Sequence, residues 1–182
     1  SNGEVWTFLT NKDGHGGKGT LAAAIPGTKS DEIISILINA MGKSVRRRVK
    51  EVTCDLSPSM MLIAGEVFYN AYVVNDRFHV QQVYNEAVDE IRIDIRRQLI
   101  AEENNCDRSQ SPTIYSNGET MRQILARSKH TLMMSREKWT DIQRHRVNIL
   151  FRHYPILKKA YLLAMQMRHI FNLKISPAKA MG

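Results

Sequence analysis

Two different spacings of apolar residues divide the chain into a first part of mixed character and a second part that is helical. Up to about residue 80, short runs rich in β-branched and aromatic residues alternate with helical stretches. Beyond that point, apolar positions recur every three or four residues, which is the spacing of an amphipathic helix. The pattern predicts an α/β region over residues 1–80 and an all-α region over residues 81–182.

Four strands are predicted in the first region, and we expect them to form one mixed sheet. They cover residues 4–10, 20–25, 49–54 and 71–75. The first two flank a glycine-rich loop and are predicted to form a hairpin. Gly14, Gly16 and Gly19 of this loop formally fit a dinucleotide-binding pattern, but no helix follows them. We therefore expect no cofactor-binding site in this loop.

Helices account for most of the remaining residues. Two are predicted before residue 80, namely 31–41 with Ser30 as its cap and 58–69 with Ser57 as its cap and Pro58 at the first position. A helix of about 24 residues is predicted from Val80 onward. Three further helices are predicted over residues 119–134, 136–153 and 155–172, the second of them capped by Ser135. Together they predict an all-α second region.

Residues 49–80 form a strand, helix, strand pattern in which an acid follows each strand, Asp55 after the first and Asp76 after the second. We expect a right-handed crossover between parallel strands. The carboxyl ends of such strands are where open α/β sheets bind ligands. Strand ends also carry ordinary turn carboxylates, so the spacing by itself is equally typical of a structural role.

The balance of 26 basic against 18 acidic side chains gives a net charge of +8, which favours a polyanionic partner. Cys54 and Cys106 show no metal-ligand spacing, and a reducing cytoplasmic location fits best. No apolar run approaches the roughly 18 residues of a membrane span, so we expect no membrane partner.

The motifs around the two acids resemble a known family. Asp55 within VTCDLS, followed by the DRFH motif that runs from Asp76 to His79, resembles the catalytic core of DDE transposases, most closely the bacterial ISL-three family of insertion sequences. The resemblance extends to GEVWTFLTNK near the start and to the helical segments after residue 119, so it covers nearly the whole chain.

This resemblance implies a partial RNase H-like fold, with a mixed sheet and flanking helices over residues 1–80 followed by a long helix and a helical insertion over 81–182. It makes Asp55 the second catalytic aspartate and a metal ligand, and it assigns Asp76 and His79 a supporting role beside the site. The family pattern places its first aspartate before residue 1 and its final glutamate after residue 182. We therefore expect an internal fragment that is inactive alone.

The implied function is metal-dependent cleavage and strand transfer of phosphodiesters during insertion-sequence movement, with two Mg²⁺ or Mn²⁺ ions in the complete enzyme and an empty site in the fragment. The implied partner is double-stranded DNA, as transposon ends and as target, and homo-oligomer formation by the full-length protein stays open. The predicted DNA-binding residues are Arg46, Arg47, Arg48, Lys50, Arg92, Arg96 and Arg97. A non-catalytic DNA-binding or assembly module on the same scaffold is the alternative.

Overall fold

A computed structural model of the protein describes residues 5–105 and 111–173, so residue 4 of the first predicted strand and Cys106 lie outside the described residues. The strands in these ranges are β1 (Trp6–Thr10), β2 (Leu21–Pro26), β3 (Glu51–Cys54) and β4 (Tyr72–Asn75). The helices are α1 (Ser30–Ala40), α2 (Lys43–Arg48), α3 (Pro58–Val67), α4 (Arg77–Asn105), α5 (Met121–Arg127), α6 (Lys129–Leu132), α7 (Asp141–His153) and α8 (Pro155–Asn172). The chain divides into two compact units, Ser1–Val80 and Gln81–Gly182.

The four predicted strands are present, but the prediction of one mixed sheet is wrong for the described residues. β1 and β2 form an antiparallel pair in which Phe8 lies opposite Ala24. β3 and β4 form a separate parallel pair in which Cys54 lies opposite Asn75. Strand propensity is a local property, whereas joining two pairs requires hydrogen bonds along another strand edge, which local sequence does not specify.

A single hydrophobic cluster holds the first unit together. Its buried members come from β2, α1 and α3 with the residue that follows, and they are Ile25, Ile33, Leu37, Ile63, Val67 and Phe68. Leu9 of β1 and Val52 of β3 pack against this cluster. By contrast, β4 is exposed along its whole length, and its Tyr72 is 82% exposed. The cluster therefore anchors β3, at whose end Asp55 lies.

The segment Lys43–Arg48, which carries three of the predicted DNA-binding residues, is a short helix. The Gly42 carbonyl accepts hydrogen bonds from the backbone N–H groups of Val45 at 2.9 Å and Arg46 at 3.2 Å. The Arg46 guanidinium then donates to the carbonyls of Met41 and Val67, at 3.1 and 3.3 Å. Because these carbonyls are near the ends of α1 and α3, Arg46 ties three helices together.

Helix boundaries in the second unit agree with the prediction for α8 and differ elsewhere. The predicted helix 119–134 is divided into α5 and α6 at Ser128, whose buried hydroxyl donates to the Ile124 carbonyl at 2.6 Å. The predicted helix 136–153 is a 3₁₀ turn followed by α7, and Thr140 rather than Ser135 caps α7. A lone β-bridge joins Ile114 to Thr120, and the described residues beyond Val80 form no strand.

The core of the second unit is built from α4, α5, α6, α7 and α8, together with Trp139. Trp139, Phe151 and Tyr161 form an aromatic group with ring centroids 5.3 to 6.4 Å apart, and the Trp139 indole donates to the Thr131 carbonyl at 2.8 Å. Within the two described ranges, no helix is long and apolar enough to cross a membrane.

Candidate active site

Asp55 and Asp76 lie at the same end of the parallel pair, as the strand, helix, strand pattern predicted. They follow Cys54 and Asn75, which are partners in the register of β3 and β4. The backbone N–H of Asp76 donates to the Cys54 carbonyl at 2.6 Å, so the pairing continues up to the second acid. The carboxyl ends of two neighbouring parallel strands therefore carry two acids side by side.

The Asp55 side chain is half-buried just before the first turn of α3. Its Oδ1 atom accepts a hydrogen bond from the backbone N–H of Ser57 at 2.9 Å, and this bond fixes the orientation of the carboxylate. One oxygen is used in this way, which leaves Oδ2 for another partner. A carboxylate before a helix N-terminus is also favoured by the positive end of the helix dipole.

Asp76 is placed differently, since it caps the start of α4. Its Oδ1 atom accepts from the backbone N–H of Phe78 at 2.8 Å, and its Oδ2 atom lies 3.9 Å from His79 Nε2. The His79 ring packs edge-on against Phe78, with centroids 5.8 Å apart. Asp76 and His79 thus contact each other and Phe78 at the start of α4.

The chemistry of the donor atoms fits a divalent metal only in part. Carboxylate oxygens such as those of Asp55 are the hard ligands that Mg²⁺ and Mn²⁺ prefer. The neighbouring Cys54 thiol is a poor ligand, because its pKa is raised. Burial is the larger cause of this increase, and the Asp55 charge is the smaller one. Among the described residues, no group of three or more His, Cys, Asp or Glu side chains is placed to hold a metal. The Asp55 carboxylate therefore fits as one of several ligands that a divalent metal would need.

The first group of predicted DNA-binding residues separates into two kinds. Arg47, Arg48 and Lys50 are exposed, so their charges face solvent. Arg46 is half-buried and its guanidinium is bonded to two backbone carbonyls. The three exposed residues suit contact with phosphates, whereas Arg46 has a structural task in the first unit.

The second group, on α4, separates in the same way. Arg92 is 6% exposed, and its guanidinium donates to Asp89 at 2.7 Å and to the Leu125 carbonyl at 2.9 Å. We therefore correct the prediction that Arg92 contacts DNA, because its charge is already paired inside the unit. Arg97 is exposed, and its guanidinium lies 3.3 Å from the Asp94 carboxylate. Arg96 is half-buried.

A polar pocket that the sequence did not indicate lies in the second unit. It has a volume of about 370 Å³ and contains a hydrogen bond between Ser116 Oγ and His145 Nε2 at 2.9 Å. Arg144, Asn148 and Arg152 also line it. Ser116 and His145 are 29 positions apart, and no local spacing signals such a pair.

Comparison with known proteins supplies the remaining finding. A family model described as transposase matches residues 3–181 and so covers both compact units. The matched range includes Asp55, the motif from Asp76 to His79, and all the basic residues considered above. No curated protein and no solved structure matches the chain.

Proposed function

Because the chain belongs to the ISL-three family of DDE-type transposases, we propose that it forms part of the catalytic domain that cleaves and rejoins DNA during insertion-sequence movement. The observation that best supports this function is the position of Asp55 and Asp76 at the ends of two paired parallel strands. That edge is where an open α/β sheet presents catalytic side chains. The first unit then belongs to the core, and the second is the helical insertion.

An RNase H-like sheet would also account for the two separate strand pairs. Leu9 of β1 and Val52 of β3 pack against the same cluster, and Lys12 Nζ lies 3.5 Å from Glu51 Oε1. The two pairs are thus close to one another, although each described strand has a single partner. We propose that, in the complete transposase, the strand carrying the family's first aspartate lies between β1 and β3 and joins the pairs.

In this proposal, Asp55 is the metal ligand contributed by this chain. The Ser57 N–H holds its carboxylate in place, and Asp76 with His79 fixes the start of α4 next to it. Divalent ions, when bound, activate the attacking water or DNA 3′-hydroxyl and stabilise the leaving oxygen. The resemblance places the other two acids outside residues 1–182, so we propose that these residues alone do not cut DNA.

The proposed DNA contacts are the basic side chains that no hydrogen bond ties to a backbone carbonyl, unlike Arg46 and Arg92. They are Arg47, Arg48, Lys50, Arg96 and Arg97. Such residues neutralise backbone phosphates and release counterions, which gives affinity without reading the base sequence.

The test is made on the full-length transposase with Asp55→Asn, measuring strand cleavage with Mg²⁺ and duplex binding by gel shift. We expect cleavage to be lost and DNA affinity to be largely kept, because the substitution removes a ligand and adds no repulsion. Asp31→Asn is the matched control, since Asp31 is an exposed acid in the first turn of α1.

Two results would count against this role for Asp55. Normal cleavage by Asp55→Asn would make it a turn residue. If Asp55→Asn lowers both the DNA affinity and the thermal stability, Asp55 has a structural role. DNA binding without cleavage by the unchanged full-length protein would instead favour the non-catalytic module.

A further inference from the structure

A pocket of about 410 Å³ lies between α4 and the end of α5. Three arginines line it, Arg92, Arg96 and Arg97, and Ile93 and Ala126 complete the wall. No acidic side chain is part of this lining. Apolar walls beside clustered positive charge limit screening by water and strengthen attraction for an anion.

The three arginines of the pocket differ in how their charges are already used. The Arg92 guanidinium is bonded to Asp89 and Leu125, and Arg97 is paired with Asp94. Arg96 forms no ion pair with any described acid, and its Nε atom is buried with no hydrogen-bond partner. A buried polar group without a partner is unfavourable, so a native protein that keeps one is expected to use it.

From this arrangement we propose that the pocket is a phosphate-binding site in which Arg96 is the principal ligand. The guanidinium fork matches two phosphate oxygens, and Arg96 lines the pocket without an ion pair among the described residues, so a phosphate would give its charge a partner. The pocket volume of about 410 Å³ exceeds that of one phosphate. The assignment to DNA, rather than to free phosphate, rests on the proposed function.

The experiment uses the 182-residue protein with Arg96→Gln and Arg96→Lys. Arg122→Gln is the matched control, because Arg122 lies in the same unit, outside the pocket, with its side chain half exposed. Fluorescence anisotropy with a duplex oligonucleotide gives affinity as a function of salt, ³¹P NMR gives inorganic phosphate binding, and thermal melting gives stability.

Removing one phosphate contact should lower the slope of log affinity against log salt by about one, with affinity falling roughly three- to tenfold. We expect this for Arg96→Gln, partial recovery for Arg96→Lys, and a smaller change for Arg122→Gln. Arg96→Gln should also leave the melting temperature largely unchanged, since the Arg96 Nε atom has no hydrogen-bond partner to lose in the free protein.

Four outcomes overturn the inference in different ways. DNA binding by the unchanged protein with the same salt slope in Arg96→Gln rejects the site and leaves the proposed function standing. Inorganic phosphate binding that Arg96→Gln abolishes, without an effect on DNA, assigns the pocket to free phosphate. A large fall in melting temperature for Arg96→Gln gives Arg96 a structural role. Absence of any DNA binding by the unchanged protein rejects both this inference and the DNA contacts under the proposed function.

Discussion

Arg92 and Arg97 lie on the same helix, each three residues after an aspartate, yet burial gives them opposite tasks. Arg92 is bonded inside the unit to Asp89 and to the Leu125 carbonyl. The Arg97 side chain is 76% exposed, and a pair in that setting contributes little to stability. The two residues therefore form a natural comparison.

Arg92→Met should destabilise the protein by about 2 kcal/mol, because the Asp89 carboxylate, 14% exposed, keeps only Lys129 at 3.9 Å and the Leu125 carbonyl loses the Arg92 donor. Arg97→Met should change the free energy of unfolding by no more than about 0.5 kcal/mol. Urea denaturation followed by circular dichroism measures both. Equal effects of the two substitutions would contradict the buried ion pair.

Glu119 is a second buried charge among the described residues of this unit. Its carboxylate accepts hydrogen bonds from Arg146 at 2.7 Å and from Arg127 at 2.6 Å. Hydrogen bonding from Arg146 is the largest cause that lowers the pKa of Glu119 from 4.5 to about 2, and it outweighs burial, which raises the pKa. The ionised carboxylate therefore joins α5 to α7.

The lowered pKa of Glu119 predicts the direction of a pH effect. The folded protein holds this carboxylate ionised, so its contribution is complete above about pH 4.5 and is lost as the pH falls towards 2. The contribution is about 3 kcal/mol, since each pKa unit corresponds to about 1.4 kcal/mol. Glu119→Gln should lower stability at neutral pH and flatten the acid limb of the stability curve.

The measurement for Glu119 is urea denaturation at several pH values between 2 and 6. Glu90→Gln serves as the control, because Glu90 is exposed on α4. An acid limb that is unchanged in Glu119→Gln would show that other carboxylates dominate it.

At the scale of elements, the start of α7 shows how two candidate caps are distinguished. Thr140 accepts a hydrogen bond from the Gln143 N–H at 3.3 Å, and Gln143 accepts one from the Thr140 N–H at 3.0 Å. This reciprocal capping box satisfies two backbone donors. Ser135 precedes only a 3₁₀ turn, where its side chain makes no capping bond.

Thr140→Ala should lower the free energy of unfolding by about 1 kcal/mol, which is typical for loss of a helix cap. Ser135→Ala should cost less, since no capping bond is removed. Parallel chemical denaturation of both variants makes the comparison. A larger effect at Ser135 would support the boundary that the sequence predicted.

At the scale of the whole molecule, the net charge of +8 and the exposed basic residues predict an electrostatic mode of DNA binding. We expect non-specific binding to duplex DNA that weakens steeply as salt rises, through counterion release. Residues 1–182 alone should leave the duplex uncut in Mg²⁺. Gel shift over a salt series and a nicking assay test this, and nicking that persists in Asp55→Asn would point to a contaminating nuclease.

The affinity of the 182-residue protein for Mn²⁺ can also be predicted. Asp55 alone should bind Mn²⁺ weakly, because one carboxylate supplies few of the oxygen ligands and the ion keeps its waters. Isothermal titration calorimetry measures the affinity. Tight binding at one ion per chain that disappears in Asp55→Asn would show that further ligands lie within these residues.

The sequence by itself determined the local features of this protein. The apolar spacing predicted the four strands and the bounds of α8, and the strand, helix, strand pattern placed Asp55 and Asp76 at one edge, because these features depend on neighbouring residues. The motifs around the same acids also indicated the family that the match over residues 3–181 shows.

Only the tertiary structure decided that the two strand pairs of the described residues form separate sheets, and which charges are buried. Arg92 and Arg97 have the same local setting, but Arg92 is buried and its guanidinium also donates to the Leu125 carbonyl of α5. Glu119 finds Arg146 27 positions away, and the buried Arg96 Nε is evident only once α4 packs beside α5. Burial and pairing arise from residues that are distant in the chain, and a local pattern carries no information about them.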